Sequence, residues 1–175
     1  PAYLLIMKSD LGLKEAPGAA DNPLIVLKAP RVAAYLKQHG INADWVTGFY
    51  HHDDIPWCAL EVSDCLVRAG IVPPANPLSA GAYRDWGIDA RGPKLGAIAV
   101  KHRAGGNHVG LVAGVNANAT MVLVIAGNAN DQVKYEWYPT TEFDAYRAPA
   151  GVTLDPAPVV SFDRNTGRVT TPKES

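Results

Sequence analysis

The amino-acid sequence predicts an α+β domain in which the helices come first and an antiparallel sheet follows. Up to about Trp86, apolar residues recur at helical spacing between loops rich in Pro, Gly and Asn. After Gly96 the chain divides into short runs rich in Val, Ile and Tyr that are separated by Gly/Asn turns, a pattern typical of strands. Helices followed by strands, rather than alternating with them, favour the α+β class.

The helical half contains several predicted segments, and the one that follows Asp53 and Asp54 has the clearest signals. Either aspartate can cap its start, Pro56 suits a first turn, and Gly70 ends it. Pro30 is expected to break or kink the chain between two shorter helices. The predicted helices are residues 2–8, 24–27, 32–38, 56–69 and 79–86.

The second half predicts an antiparallel sheet of short strands. The runs around Val112 and Leu123 are almost wholly apolar, as expected for strands that are buried on both faces. The predicted strands are residues 97–100, 109–115, 121–126, 133–138 and 143–147. Residues 1–149 are therefore expected to form the domain, and the Pro-containing polar residues 150–175 an arm or a flexible tail.

Composition and charge exclude several functional classes. The chain has 175 residues, 47% of them hydrophobic, which is enough to bury a core. Sixteen Lys and Arg residues stand against 17 Asp and Glu residues, without a long basic block, so no nucleic-acid partner is expected. A membrane span needs about 20 apolar residues, and the longest apolar run, residues 121–126, is far shorter. No membrane insertion and no secretory signal are expected, so the protein is expected to be made in the cytoplasm.

Cys58 is the leading candidate for a catalytic nucleophile. It follows Pro56 and Trp57 at the predicted start of a helix, where unpaired N–H groups and the helix dipole favour a thiolate. Cys65 lies two turns further along, about 10 Å away, which is beyond disulfide reach. It is expected to pack in the core as a small apolar residue.

A thiol nucleophile needs a base, and the base needs an orienting group. His108 opens a predicted strand, and Asn128 follows the end of the next one. The Asn128 amide oxygen can accept the second ring N–H of His108. A nucleophile on a helix with its base and orienting residue on consecutive strands, in the order Cys, His, Asn, is the papain-like arrangement.

Several stretches resemble the peptidoglycan-hydrolase branch of the NlpC/P60–CHAP superfamily of papain-like cysteine peptidases. The most specific are Pro56-Trp57-Cys58 and His108-Val109-Gly110. The others are Gly12-Leu13-Lys14-Glu15-Ala16-Pro17-Gly18, Asp21-Asn22-Pro23, Asp53-Asp54-Ile55, Ser79-Ala80, Trp86-Gly87, Gly96-Ala97-Ile98, Gly127-Asn128 and Tyr146-Arg147-Ala148-Pro149. Two positions depart from the family pattern: Ala129 replaces the usual Gln, and Ala59 replaces a frequent Ser.

The resemblance implies a papain-like fold in which Cys58 attacks an amide, His108 is the base and Asn128 orients it. The implied substrate is peptidoglycan, cut within the stem peptide, with the N-acetylmuramoyl–L-alanine amide as the alternative. No cofactor is expected. The protein is then either a phage-type lysin or a secreted antibacterial effector, acting in the periplasm or on the cell wall after release or delivery. An effector would have an immunity protein as a partner.

Other interpretations remain open at this point. Trp57 is expected to form a wall of the cleft, and Asp53 to contact substrate amines. The run His51-His52-Asp53-Asp54 suggests a metal, but adjacent residues converge poorly on one ion, so no metal site is predicted. A non-catalytic cell-wall binding module and an acyltransferase on the same fold are alternatives of another class.

Overall fold

The computed structural model describes residues 1–161, in which α-helices pack on one face of a six-stranded antiparallel sheet. The helices are α1 (Ala2–Ser9), α2 (Pro23–Val26), α3 (Lys28–Gln38), α4 (Asp44–Phe49) and α5 (Cys58–Arg68). The strands are β1 (Ile88–Asp89), β2 (Ile98–Arg103), β3 (Gly106–Val115), β4 (Met121–Ala126), β5 (Lys134–Pro139) and β6 (Ala145–Ala148). Short 3-10 helices span Ala80–Tyr83 and Thr140–Glu142. This mixture of helix and antiparallel sheet confirms the α+β class.

The sheet has the strand order β1-β6-β2-β3-β4-β5, so β3 lies inside it. β3 pairs with β2 from Gly106 to Leu111 and with β4 from Leu111 to Val115, with a bulge after Val112. Its first five residues therefore have no β4 partner in the ladder. The N-terminus of α5 meets the sheet at this gap, because Gly127, the residue that follows β4, lies against Glu61 and the Trp57 ring.

Helix α5 is the centre of the helical layer. Every residue from Cys58 to Val67 is buried, and the helix packs on α1, α3 and β3. The helix-facing side of the sheet contributes Val109 and Leu111 of β3 to the same core. The alternate residue Val112 belongs to a separate cluster on the opposite face, as the period-two geometry of a strand requires.

A buried ion cluster joins α5 to α1 and α3. The ammonium of Lys28 lies 2.8 Å from Asp10, 3.1 Å from Glu61 and 3.2 Å from Asp64. Glu61 and Asp64 have completely buried side chains, and that of Lys28 is 3% exposed. Buried charges are tolerated only when paired in this way.

Most predicted elements are present, and the differences have local causes. Pro30 was expected to break the chain, but it occupies the third position of α3, in the first turn, where an N–H has no helical partner to lose. The sequence did not predict α4 or β1. Neither Asp53 nor Asp54 caps α5, which begins after Trp57 without a side-chain cap.

The first part of the predicted arm packs against the sheet. Val159 pairs with Val115 as a parallel bridge, and Pro156 pairs with Lys94. Leu154 is buried in the cluster on the face opposite the helices. The rest of the predicted arm, residues 162–175, lies outside the described residues. Among residues 1–161, no helix has the length and apolar character needed to cross a bilayer.

Candidate active site

Cys58 is the first residue of α5 and is 5% exposed. The backbone N–H of Val109, in the part of β3 that has no β4 partner, faces its sulfur and stabilises negative charge there. The backbone N–H groups of Ala59 and of Cys58 itself also stabilise negative charge there. The sulfur thus lies where the N-terminus of a helix meets the backbone of a strand.

Burial raises the pKa of the Cys58 thiol and outweighs the groups that lower it. Those groups are, in decreasing order, the Val109 N–H, the Arg103 guanidinium and the N–H groups at the helix start. The helix N-terminus thus favours a thiolate, as the sequence predicts, but burial of the thiol has the opposite and larger effect.

His108 precedes Val109 in β3 and is 1% exposed. It lies directly across from Lys101 of β2, and strand alternation places it on the face opposite to that of Val109. Within the described part of the chain, neither ring nitrogen has a hydrogen-bond partner. The connection between Cys58 and His108 therefore runs through the backbone of Val109, and no hydrogen bond joins the sulfur to the imidazole.

The environment of His108 holds its imidazole in the neutral form. Burial, followed by the positive charges of Arg103 and Lys101, lowers its pKa to about 4, against a smaller opposing effect of Glu136. A neutral imidazole is the form that can accept a proton from a thiol.

Asn128 lies two residues beyond β4 in a left-handed conformation, with φ of 52°, which Asn tolerates better than most residues. Its side-chain amide donates to Glu15 Oε1 at 3.1 Å. Among residues 1–161, no hydrogen bond joins Asn128 to His108. The structure thus brings Asn128 to Glu15 rather than to the proposed base.

Glu15 is the site residue that the sequence did not single out. The same oxygen, Oε1, also accepts the indole N–H of Trp57 at 2.8 Å. Burial is the largest influence on the Glu15 carboxyl and raises its pKa, as do the charges of Asp131, Asp53 and Asp54, against the lowering effect of Trp57. Its only signal in the sequence is its place in the Gly12–Gly18 stretch that resembles the hydrolase family.

Gly127 allows the end of β4 to approach α5 closely. A Cβ at this position would lie 2.7 Å from Cβ of Glu61 and 2.8 Å from the Trp57 ring. Any side chain would push the strand end that carries Asn128 away from the helix that carries Cys58. The lack of a side chain at Gly127 therefore allows the end of β4 to pack against α5.

Trp57 and Asp53 were expected to contact substrate, and the structure places both in the interior. Trp57 is completely buried, and Asp53 is 3% exposed. Asp53 Oδ2 accepts the backbone N–H groups of Ala16 and Asn22, each at 2.7 Å. Asp53 thus holds the loop next to Glu15, while Trp57 orients the carboxylate of Glu15.

The cluster of two histidines and two aspartates does not converge on one point. His51 and His52 are exposed, whereas Asp53 points inward to the loop. His52 pairs with Asp21 at 3.0 Å. In residues 1–161 the group with metal-ligand spacing is Asp10, Glu61 and Cys65, and the ammonium of Lys28 already bonds to its two carboxylates.

Comparison with known proteins identifies no relative: no protein-family model, no curated protein and no solved structure matches the chain.

Proposed function

We propose that the protein is a cysteine hydrolase of the papain-like, NlpC/P60 type that cleaves an amide bond in bacterial peptidoglycan. The observation that carries the proposal is the position of Cys58. Its sulfur lies at the N-terminus of α5, against the backbone of Val109, the residue that follows the neutral His108 in β3. The residue resemblance supplies the substrate class and favours the stem peptide over the N-acetylmuramoyl–L-alanine amide.

The mechanism starts from a neutral thiol and a neutral imidazole. His108 takes the Cys58 proton as the sulfur attacks the scissile carbonyl carbon, which gives a tetrahedral oxyanion. The N–H groups of Cys58 and Ala59 stabilise that oxyanion, an effect worth about 3 kcal/mol per donor. His108 then gives the proton to the leaving amine, and water hydrolyses the thioester to a carboxylic acid and the free thiol.

This reaction requires movement around the sulfur. Cys58 is 5% exposed, and His108 is 1% exposed on the face of β3 opposite to Val109. Substrate entry therefore has to rearrange the start of β3 so that the imidazole reaches the thiol. In that state Asn128 orients the imidazole of His108. Its amide nitrogen is held by Glu15, which leaves its oxygen as the acceptor for the His108 ring N–H.

Digestion of purified peptidoglycan tests the proposal. The wild type, Cys58→Ala and the matched control Cys65→Ala are compared, with fragments identified by mass spectrometry. We expect new free amines from the wild type and from Cys65→Ala, because Cys65 is buried two turns away from the site. Cys58→Ala should lower turnover by about 10⁴-fold or more, as loss of a nucleophile does in other hydrolases.

The fragments distinguish the alternatives. A new amine inside the stem peptide identifies an endopeptidase, and a free N-terminal alanine identifies an amidase. Transfer of the acyl group to an added amine would indicate an acyltransferase. Cleavage by Cys58→Ala at the wild-type rate would refute the proposal, and binding without cleavage by the wild type would favour a cell-wall binding module. A lysin would reach this substrate after its release, and an effector after its delivery. An effector would also have an immunity protein as a partner.

A further inference from the structure

The carboxylate of Glu15 connects two segments that meet only in the folded chain. Its Oε1 accepts from Trp57, the residue before the nucleophile, and from Asn128 at the end of β4. These donors are 42 and 113 residues away from Glu15 along the chain. Hydrogen bonds to a charged acceptor are stronger than neutral ones, so a single oxygen fixes both side chains.

The backbone of Glu15 is itself held in place. Its N–H donates to the carbonyl of Asp131 at 2.9 Å. Two residues earlier, the carbonyl of Leu13 accepts from Val133 at 2.7 Å, and Lys14 bridges Gln132 in an antiparallel pair. The carboxylate is therefore positioned by a short ladder that runs beside the segment between Asn128 and β5, and it needs little reorganisation to hold its two donors.

The indole of Trp57 completes this arrangement. The ring lies against Gly127, the residue before Asn128, while its N–H is bonded to the Glu15 carboxylate. Trp57 is also the residue from which α5 starts. A displaced Glu15 carboxylate would therefore release both the start of the Cys58 helix and the Asn128 amide.

We propose that Glu15 is a positioning residue of the candidate active site, acting through Trp57 and Asn128 without touching substrate. Its carboxylate accepts from the amide nitrogen of Asn128. The amide oxygen is therefore the atom that is free to accept from His108. This assignment rests on the proposed hydrolase function.

Kinetics on peptidoglycan test the assignment with three variants. Glu15→Ala removes both hydrogen bonds and should lower kcat by about 10- to 100-fold, the loss typical of one charge-assisted hydrogen bond, with KM changed by less than about twofold. Glu15→Gln keeps an acceptor oxygen and should retain most of the activity. Asp44→Asn, an exposed carboxylate on α4, is the control and should match the wild type.

A double-mutant cycle separates positioning from mere stabilisation. Asn128→Ala should lower kcat in the wild type but have little further effect in Glu15→Ala, because the two residues act as one unit. Additive losses, or a wild-type kcat for Glu15→Ala, would overturn the assignment.

A substrate-free measurement distinguishes this failure from failure of the proposed function. In ¹⁵N NMR spectra, the Trp57 indole N–H and the Asn128 side-chain N–H should shift together with one titration midpoint, above the usual pKa of a glutamate. Glu15→Gln should abolish that shared transition. If the transition is present but the wild type cleaves nothing, the contact stands and the hydrolase proposal fails. If the wild type cleaves and the transition is absent, the Glu15 assignment fails.

Discussion

Lys28→Met is the perturbation that tests most directly what anchors α5. In the folded chain the Lys28 ammonium bonds to three carboxylates, two of which belong to completely buried side chains of α5. The variant keeps the length of the side chain and removes its charge. Breaking a buried ion pair by removing one partner costs about 3–5 kcal/mol. Arg31, 2.7 Å from Asp64, still compensates that carboxylate, so we expect the lower end, about 3 kcal/mol at pH 7.

The loss should depend on pH with a defined sign. Burial raises the pKa of Glu61 to about 7, and Lys28 opposes this rise. Without Lys28 the folded-state pKa of Glu61 lies higher still, above its unfolded value of 4.5. The ionised carboxylate is then penalised at pH 7, and the penalty falls as the pH is lowered towards 4.5 and Glu61 takes up a proton. The destabilisation should therefore be smaller at pH 5 than at pH 7.

Urea unfolding followed by circular dichroism gives the free energy at both pH values. Lys37→Met is the matched control on the same helix, because the side chains of Lys37 and its partner Asp44 are 55% and 73% exposed. Such a surface pair contributes about 0–1 kcal/mol. The reasoning is refuted if Lys28→Met costs no more than Lys37→Met, or if its cost is the same at pH 5 and pH 7.

Two further predictions concern the contact between strand and helix and the candidate base. Gly127→Ala should destabilise the fold by about 1–3 kcal/mol through overpacking against Glu61 and Trp57, whereas Gly48→Ala, in α4 with open space around it, should be stabilising by up to about 1 kcal/mol; equal effects in urea unfolding would contradict this. Because the pKa of His108 is lowered to about 4, its contribution to stability is complete above its unfolded value of 6.5 and is lost as the pH falls through 4. The difference in unfolding free energy between the wild type and His108→Leu should thus shift by up to about 3 kcal/mol in favour of the variant between pH 7 and pH 4. A difference that does not change with pH would contradict the lowered pKa of His108.

The sequence predicts those elements whose signals are local. Short apolar runs such as Met121–Ala126 are too brief for helices and form strands as expected. Helix α4 lacks such signals, since it has six residues, includes Gly48 and leaves Phe49 58% exposed. Strand β1 consists of two residues that are defined by their pairing with β6, which no local pattern encodes.

The residues of the candidate site also differ in whether the local sequence predicts them. Cys58 is predictable as a candidate nucleophile because a proline, the expected start of a helix and a cysteine lie within three residues of one another. Glu15 is not, because its hydrogen bond to Asn128 joins residues 113 positions apart. The local sequence does not predict the pKa of the thiol either. The helix start lowers this pKa and burial raises it, and the packing of the whole chain decides which effect is larger.

Glu61 connects the buried ion cluster to the candidate active site. Its carboxylate bonds to Lys28, while its Cβ lies where a side chain at Gly127 would have to fit. It stands three residues after Cys58, on the same helix. The ion cluster that ties α5 to α1 and α3 therefore also sets how closely the end of β4, with Asn128, approaches Cys58. A cluster of this kind is costly to bury, and its replacement by apolar residues of similar volume is often neutral or stabilising. Its effect here is to fix the position of α5 within about one turn of Cys58. For the proposed reaction this matters, because a misplacement of about 1 Å lowers catalysis about 100-fold in enzymes.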